Sequence, residues 1–274
     1  MVRPMSATPR DPTLPGFFSW FGYPLPIEER MRLIAEAGFC RTSIWLGKEE
    51  ACIAESRPAD LCTAAGCVGL RVECAHAPFE ECNLLWHDED SAAAPVIDGL
   101  RAWILFCADY GIPILVVHLG KGHDAPAPTA RGIERLGDLV ETAARSGVVI
   151  ALENVRSNAA LDRALEEIDS PNLGFCYDSS HDFMHASHPT AILRRWGGRL
   201  VYTHLSDNDG TRDCHWVPGR GTIDWTAVAA AMPARRPLPL SLEVVPVDAA
   251  AQSAEAFLIE AHAAGVALIE RWPG

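Results

Sequence analysis

Apolar and polar positions follow two rhythms along this chain. Short, nearly unbroken apolar runs, such as 114–117 and 148–152, read as strands buried on both faces. Between them lie longer stretches with apolar residues every three or four positions. Ile27, Met31, Leu33, Ile34 and Ala37 form one such stretch, closed by Gly38, and the pattern is that of a helix covering a sheet. Strands are expected at 17–23, 40–45, 69–75, 114–117, 148–152, 173–177, 199–203 and 238–242. Helices are expected at 27–37, 59–65, 95–110, 129–145, 158–168, 189–196, 224–232 and 249–272. The result is a succession of eight strand–helix units with no linker dividing them.

Alternating units of this kind imply a parallel sheet wrapped in helices. Eight units in about 250 residues match the size of an α/β (β/α)8 barrel, a TIM barrel. An open, doubly wound sheet is the alternative. No dinucleotide fingerprint follows the first strand, and Gly219-Arg220-Gly221 lacks a third glycine, so it reads as a turn. Residues 1–15 are Pro-rich and read as a flexible N-terminal arm, leaving 16–274 as one domain.

Composition narrows the function. Of 274 residues 49% are hydrophobic, enough for a sizeable core. The net charge is −13 and only Lys48 and Lys121 are lysines, which disfavours binding through a broad basic face. The nine cysteines are scattered without a Cys-x-x-Cys pair, which fits a reducing, cytoplasmic setting better than a disulfide framework. No apolar run approaches the ~18 residues of a membrane helix, and the N-terminus does not read as a secretory signal.

The chemistry-bearing residues cluster by position. His76, His118, Glu153, Asp178, His204 and Glu243 each stand at or just past an expected strand end, on the third to the eighth strands. Barrel active sites lie at that end. His181 follows Asp178 by three residues, and Asp213 and His215 lie in the Gly-rich loop after His204. Imidazole nitrogens and carboxylate oxygens together suit a divalent cation. Taken singly, each has a plainer reading: a surface histidine, a salt bridge from Glu153 to Arg156, or Asp178 capping the turn at Ser179-Ser180. Nine such residues on one rim favour a shared metal site.

These motifs carry a resemblance. His76-Ala-Pro-Phe79, Val117-His118-Leu-Gly120, Leu152-Glu153-Asn-Val155, Cys176-Tyr-Asp178-Ser-Ser-His181, His204-Leu-Ser-Asp207, Asp213-Cys-His215, Pro218-Gly-Arg-Gly221 and Leu242-Glu243 resemble the xylose isomerase-like TIM-barrel superfamily. That superfamily includes sugar phosphate isomerases and epimerases and the endonuclease IV group of apurinic endonucleases. In the epimerase branch, the resemblance implies one Mn, Mg or Co ion held by Glu153, Asp178, His204 and Glu243. The two glutamates there also move a proton through an ene-diolate. In the endonuclease branch, the same four join His76, His118, His181, Asp213 and His215 around three Zn ions and cleave a phosphodiester.

The acidic balance, and the acidic stretch 79–90 after His76, favour the first branch. The expected function is metal-dependent isomerisation or epimerisation of a sugar, sugar phosphate or related polyol ketone. A multi-zinc phosphodiesterase is the alternative, and a binding protein without turnover the third. The expected partner is a small sugar-like molecule; nucleic acid and membrane are disfavoured, and a homo-oligomer stays open. Arg156, Arg212 and Lys121 are candidates to hold an anionic part of the substrate. Trp20, Phe79, Trp86 and Trp216 are candidates for an apolar pocket wall, with core or lip packing the stronger reading for Trp20. Asp207 is a candidate to orient a ligand histidine.

Overall fold

The structure, a computed structural model, describes residues 14–47, 57–234 and 240–272. Eight strands form one parallel sheet: β1 (Gly16–Phe18), β2 (Arg41–Trp45), β3 (Arg71–His76), β4 (Ile114–Val117), β5 (Val149–Glu153), β6 (Leu173–Asp178), β7 (Leu200–His204) and β8 (Ser241–Leu242). Their order is β7-β6-β5-β4-β3-β2-β1-β8. Phe17 pairs with Leu242 across β1 and β8. Leu205, one residue past β7, bridges Leu242 in parallel and joins the two ends of that order. The fold is the expected TIM barrel.

Among the described residues, nine α-helices surround the strands: α1 (Ile27–Glu36), α2 (Pro58–Cys67), α3 (Asp90–Asp109), α4 (Ala130–Ser146), α5 (Ala159–Glu167), α6 (Ser179–His185), α7 (Ala191–Trp196), α8 (Trp225–Ala231) and α9 (Ala254–Arg271). Local chemistry sets their ends. Thr129 accepts the Gly132 N–H at 3.1 Å and starts α4, and Gly147 ends it with a left-handed φ of 69°. Asp224 caps α8 and Ser253 caps α9.

Several boundaries differ from those expected. β1 is shorter than 17–23, and α3 begins at Asp90 rather than at Pro95. The carbonyl that Pro95 leaves without a helical donor belongs to Ser91, which is exposed to water. α6 was not expected, because it follows β6 with no intervening loop. Leu238, placed in the last strand from the sequence, and Lys48 lie outside the described residues, as does most of the N-terminal arm. By length and composition α3 could cross a bilayer; here Leu100, Ile104 and Cys107 on it are buried in the protein core.

The core has two parts. The larger fills the space between strands and helices. The smaller contains Cys74, Val116, Ala151, Cys176 and Tyr202, one from each of five neighbouring strands and all fully buried. These side chains fill the barrel interior. Beside them Glu73 forms a buried ion pair with Arg41 at 3.3 Å.

Candidate metal centre

Alternate residues of a strand face the same way. Counting two residues on from each interior position therefore gives the next inward-facing layer. Cys74 leads to His76, Val116 to His118, Ala151 to Glu153, Cys176 to Asp178 and Tyr202 to His204. Ser241, buried on β8, leads in the same way to Glu243. Six candidate ligands thus converge because each is the top rung of a ladder whose lower rung packs the interior.

Glu153 is the hub. Its Oε2 lies 3.2 Å from His76 Nε2, 3.2 Å from His118 Nε2 and 3.0 Å from His204 Nδ1. Its Oε1 lies 3.3 Å from His181 Nδ1. His204 Nδ1 is also 3.0 Å from Glu243 Oε2. Asp213 Oδ2 meets both His181 Nε2 and His215 Nε2 at 3.2 Å. All nine residues singled out in the sequence are accounted for in one network, Asp178 entering it through its 3.7 Å approach to His181.

The donor set fits a divalent cation. Glu153, Asp178, His204 and Glu243 each offer a ligand atom within 4.8 Å of the others, and so do His76, Glu153 and His204. Asp178 Oδ2 is buried without a hydrogen-bond partner, a costly state unless another group meets it. Backbone carbonyls fix three of the imidazoles. His76 Nδ1 faces Ala77 O at 2.8 Å, His181 Nδ1 faces Asn154 O at 2.9 Å, and His215 Nδ1 faces Glu243 O at 3.1 Å. A carbonyl can only accept, so these nitrogens carry protons, and a cation at the centre would be met by the Nε2 lone pair of the then neutral ring. His215 adopts a left-handed φ of 51°, rare for a residue with a side chain.

Electrostatics follow from the crowding. Burial pushes the Glu153 carboxyl up, but His204, His118 and His181 together hold it well below the usual range. Burial, with His181 opposing it, pushes Asp178 up to about 7. Burial lowers the His204 and His215 imidazoles; the carboxylates of Glu243 and Glu153 around the first, and of Asp213 and Glu243 around the second, outweigh this. They push His204 up to about 9 and His215 up to about 10. His118 is lowered by burial despite Glu153 beside it.

The surrounding residues divide. Phe79 stacks on His118 with centroids 4.5 Å apart. Trp86 is buried in the core and donates to Leu119 O at 2.6 Å, so it does not form a pocket wall. Trp216 pairs through its backbone with Asp207, and Trp20 lies against Arg30 at the lip. Asp207 does not orient a histidine. Its oxygens accept from the backbone of Asn208, Gly219 and Ile223 and from Trp225 Nε1, all between 2.8 and 3.0 Å, so it organises its own loop. Arg212 is held by Asp209 at 3.1 Å, Lys121 lies over the Phe79 ring, and Arg156 is exposed on the loop after Glu153.

Three contributors had no distinctive sequence signal. Trp45 ends β2 with its ring 5.1 Å from His76. Asn154 accepts from Asp178 N and donates to Asp178 O, both at 2.8 Å, and so fixes the backbone of a candidate ligand. Ser180 donates to Asp213 Oδ1 at 2.6 Å. The Glu153-Asn154 and Ser179-Ser180 pairs at strand ends are the only hints the sequence offers.

Comparison with known proteins agrees with this architecture. The chain is 32% identical over 222 residues to an uncharacterized protein, y4fM, of Sinorhizobium fredii, covering 72% of this chain and 70% of that one. It is 24% identical over 227 residues to fructoselysine 3-epimerase of Shigella flexneri, covering 76% of this chain and 81% of the relative. It is 29% identical over 206 residues to a probable endonuclease 4 of Cenarchaeum symbiosum, covering 64% and 71%. A solved structure of L-ribulose 3-epimerase superposes with a TM-score of 0.74 at 20% identity, over 94% of this chain and 96% of that one. Residues 58–261 match the family described as xylose isomerase-like TIM barrel. The chain belongs to the xylose isomerase-like TIM-barrel family.

Proposed function

We propose that this protein is a divalent-metal-dependent isomerase or epimerase of a sugar, sugar phosphate or related polyol ketone, working in the cytoplasm. One observation carries the reading. Glu153 and Glu243 approach the same His204 nitrogen, each at 3.0 Å, with Asp178 completing a four-residue ligand set at the barrel mouth. Two carboxylates beside one cation position provide two proton carriers for one carbon centre. The epimerase relatives support the substrate class.

Glu153, Asp178, His204 and Glu243 would hold the cation, drawn from Mn, Mg, Co or Zn. When bound, it would polarise the carbonyl and hydroxyl oxygens of the substrate. One glutamate then removes the proton beside the carbonyl, the substrate passes through an ene-diolate, and a proton returns to a neighbouring carbon or to the other face. Phe79, stacked on His118, provides an apolar face beside the site.

The test is proton chemistry. Ketoses and ketose phosphates incubated in deuterated water with metal-loaded protein should gain deuterium at the reacting carbon. Glu153→Gln and Glu243→Gln should each slow this by ~10²–10⁴. A second reading, a multi-zinc phosphodiesterase, is favoured by His76, His118, His181, Asp213 and His215 around the same centre. Zn-dependent nicking of an abasic duplex, without exchange on any ketone, would put that reading first. Against it stands the exposed acid on the rim, including Glu81, Asp88 and Glu89.

A further inference from the structure

Among the exposed arginines without a carboxylate partner in the described residues, Arg156, Arg194 and Arg271, Arg156 lies nearest in the chain to a candidate ligand. Arg131, Arg195, Arg212 and Arg220 are each at least half exposed, and each holds a carboxylate. Arg156 has no carboxylate partner among the described residues, although acids outnumber bases in the chain by 36 to 23. It lies on the loop after β5, three residues past Glu153 and two past Asn154, whose carbonyl faces His181.

Its surroundings reinforce the charge. His185, on α6, stacks beside His181 with centroids 6.3 Å apart. Arg156 and His123 each lie within electrostatic reach of His185. His123 comes from the loop after β4, which also carries Lys121. Strands β4, β5 and β6 are neighbours in the sheet. Two adjacent loops and the helix α6 beside them therefore set cations and imidazole donors on one side of the mouth. The acid that reaches His185 is Asp213, which His181, His215 and Ser180 already occupy. Even uncharged, an imidazole donates one N–H.

We infer that Arg156, with His185 and His123, forms a subsite for an anionic group, a phosphate or carboxylate, carried by the substrate away from its reacting carbon. A guanidinium matches the two oxygens of such a group. A metal at the ligand cluster would fix the hydroxyketone end, and Arg156 would fix the other. The inference deepens the epimerase reading and takes the reacting end of the substrate from it.

The test uses polyols that cannot react, so that binding is judged apart from turnover. Calorimetric titration of metal-loaded protein compares glucitol, glucitol 6-phosphate and gluconate. At least one anionic probe should bind about 10- to 100-fold more tightly than glucitol, the range for a charge-assisted hydrogen bond. Whichever gains shows whether phosphate or carboxylate is preferred. Arg156→Met should remove that advantage, whereas Arg212→Met, whose arginine is already held by Asp209, should keep it. Equal affinities for all three probes, or an advantage that survives Arg156→Met, would overturn the inference. If no ketone exchanges deuterium, the epimerase reading fails, and these titrations still decide the anion subsite.

Discussion

At the scale of single residues, the site depends on atoms that hold the ligands as well as on the ligands themselves. Asn154 grips both backbone groups of Asp178, and its own carbonyl faces His181. Asn154→Ala should leave every ligand in place yet weaken metal affinity by ~10- to 100-fold, as losses behind a metal site do; competition against a chromophoric chelator measures it. His204 gives a pH dependence. In the metal-free protein its imidazole is raised to about 9, above the ordinary ~6.5, by neighbouring carboxylates that outweigh burial. The stabilisation from that charged ring is complete below about 6.5 and lost as pH rises through about 9. A bound metal needs the ring neutral, so its affinity gains over the same interval. The melting-temperature gap between metal-loaded and chelator-treated protein should therefore widen from pH 6.5 to 9. A gap that narrows over that range would remove His204 from the ligand set.

At the scale of elements, the strand ends carried most of what was legible in advance. Runs such as Ile114–Val117 are unbroken by polar residues, so the first polar residue after them marks the rim. That marker located His76, His118, Glu153, Asp178, His204 and Glu243. It could not locate α6, because Asp178 both ends β6 and caps the helix by accepting from His181 N at 2.7 Å. Nor could it reveal Trp45, whose contribution depends on ring placement, or the true partners of Asp207, which lie up to 18 residues away in sequence. The loop that Asp207 organises is tightly packed. A Cβ at Gly221 would run into Asn208 O and Asp207 Oδ1. Gly221→Ala should cost about 1–3 kcal/mol, seen as a lower melting temperature. Thr129→Ala, which removes the α4 cap and the hydrogen bond to Trp86 O, should cost about 1–2 kcal/mol and leave metal content unchanged.

At the scale of the whole molecule, the barrel sets a candidate metal-binding rim inside a strongly acidic body. A net charge of −13 opposes a polyanion at long range. An undamaged DNA duplex should bind no more tightly than the ~10⁻⁴–10⁻⁶ M of non-specific contacts at physiological salt; fluorescence anisotropy measures this. The barrel interior has a further consequence. Two of its side chains, Cys74 and Cys176, lie one rung beneath His76 and Asp178. Burial pushes both thiols well above their ordinary range, and nearby carboxylates add to it. They therefore stay protonated and do not compete as soft thiolate ligands, although sulfur lies close beneath the rim. The choice of ion is left to nitrogen and oxygen, and the same un-ionised state makes these two cysteines poor targets for peroxide and alkylating agents.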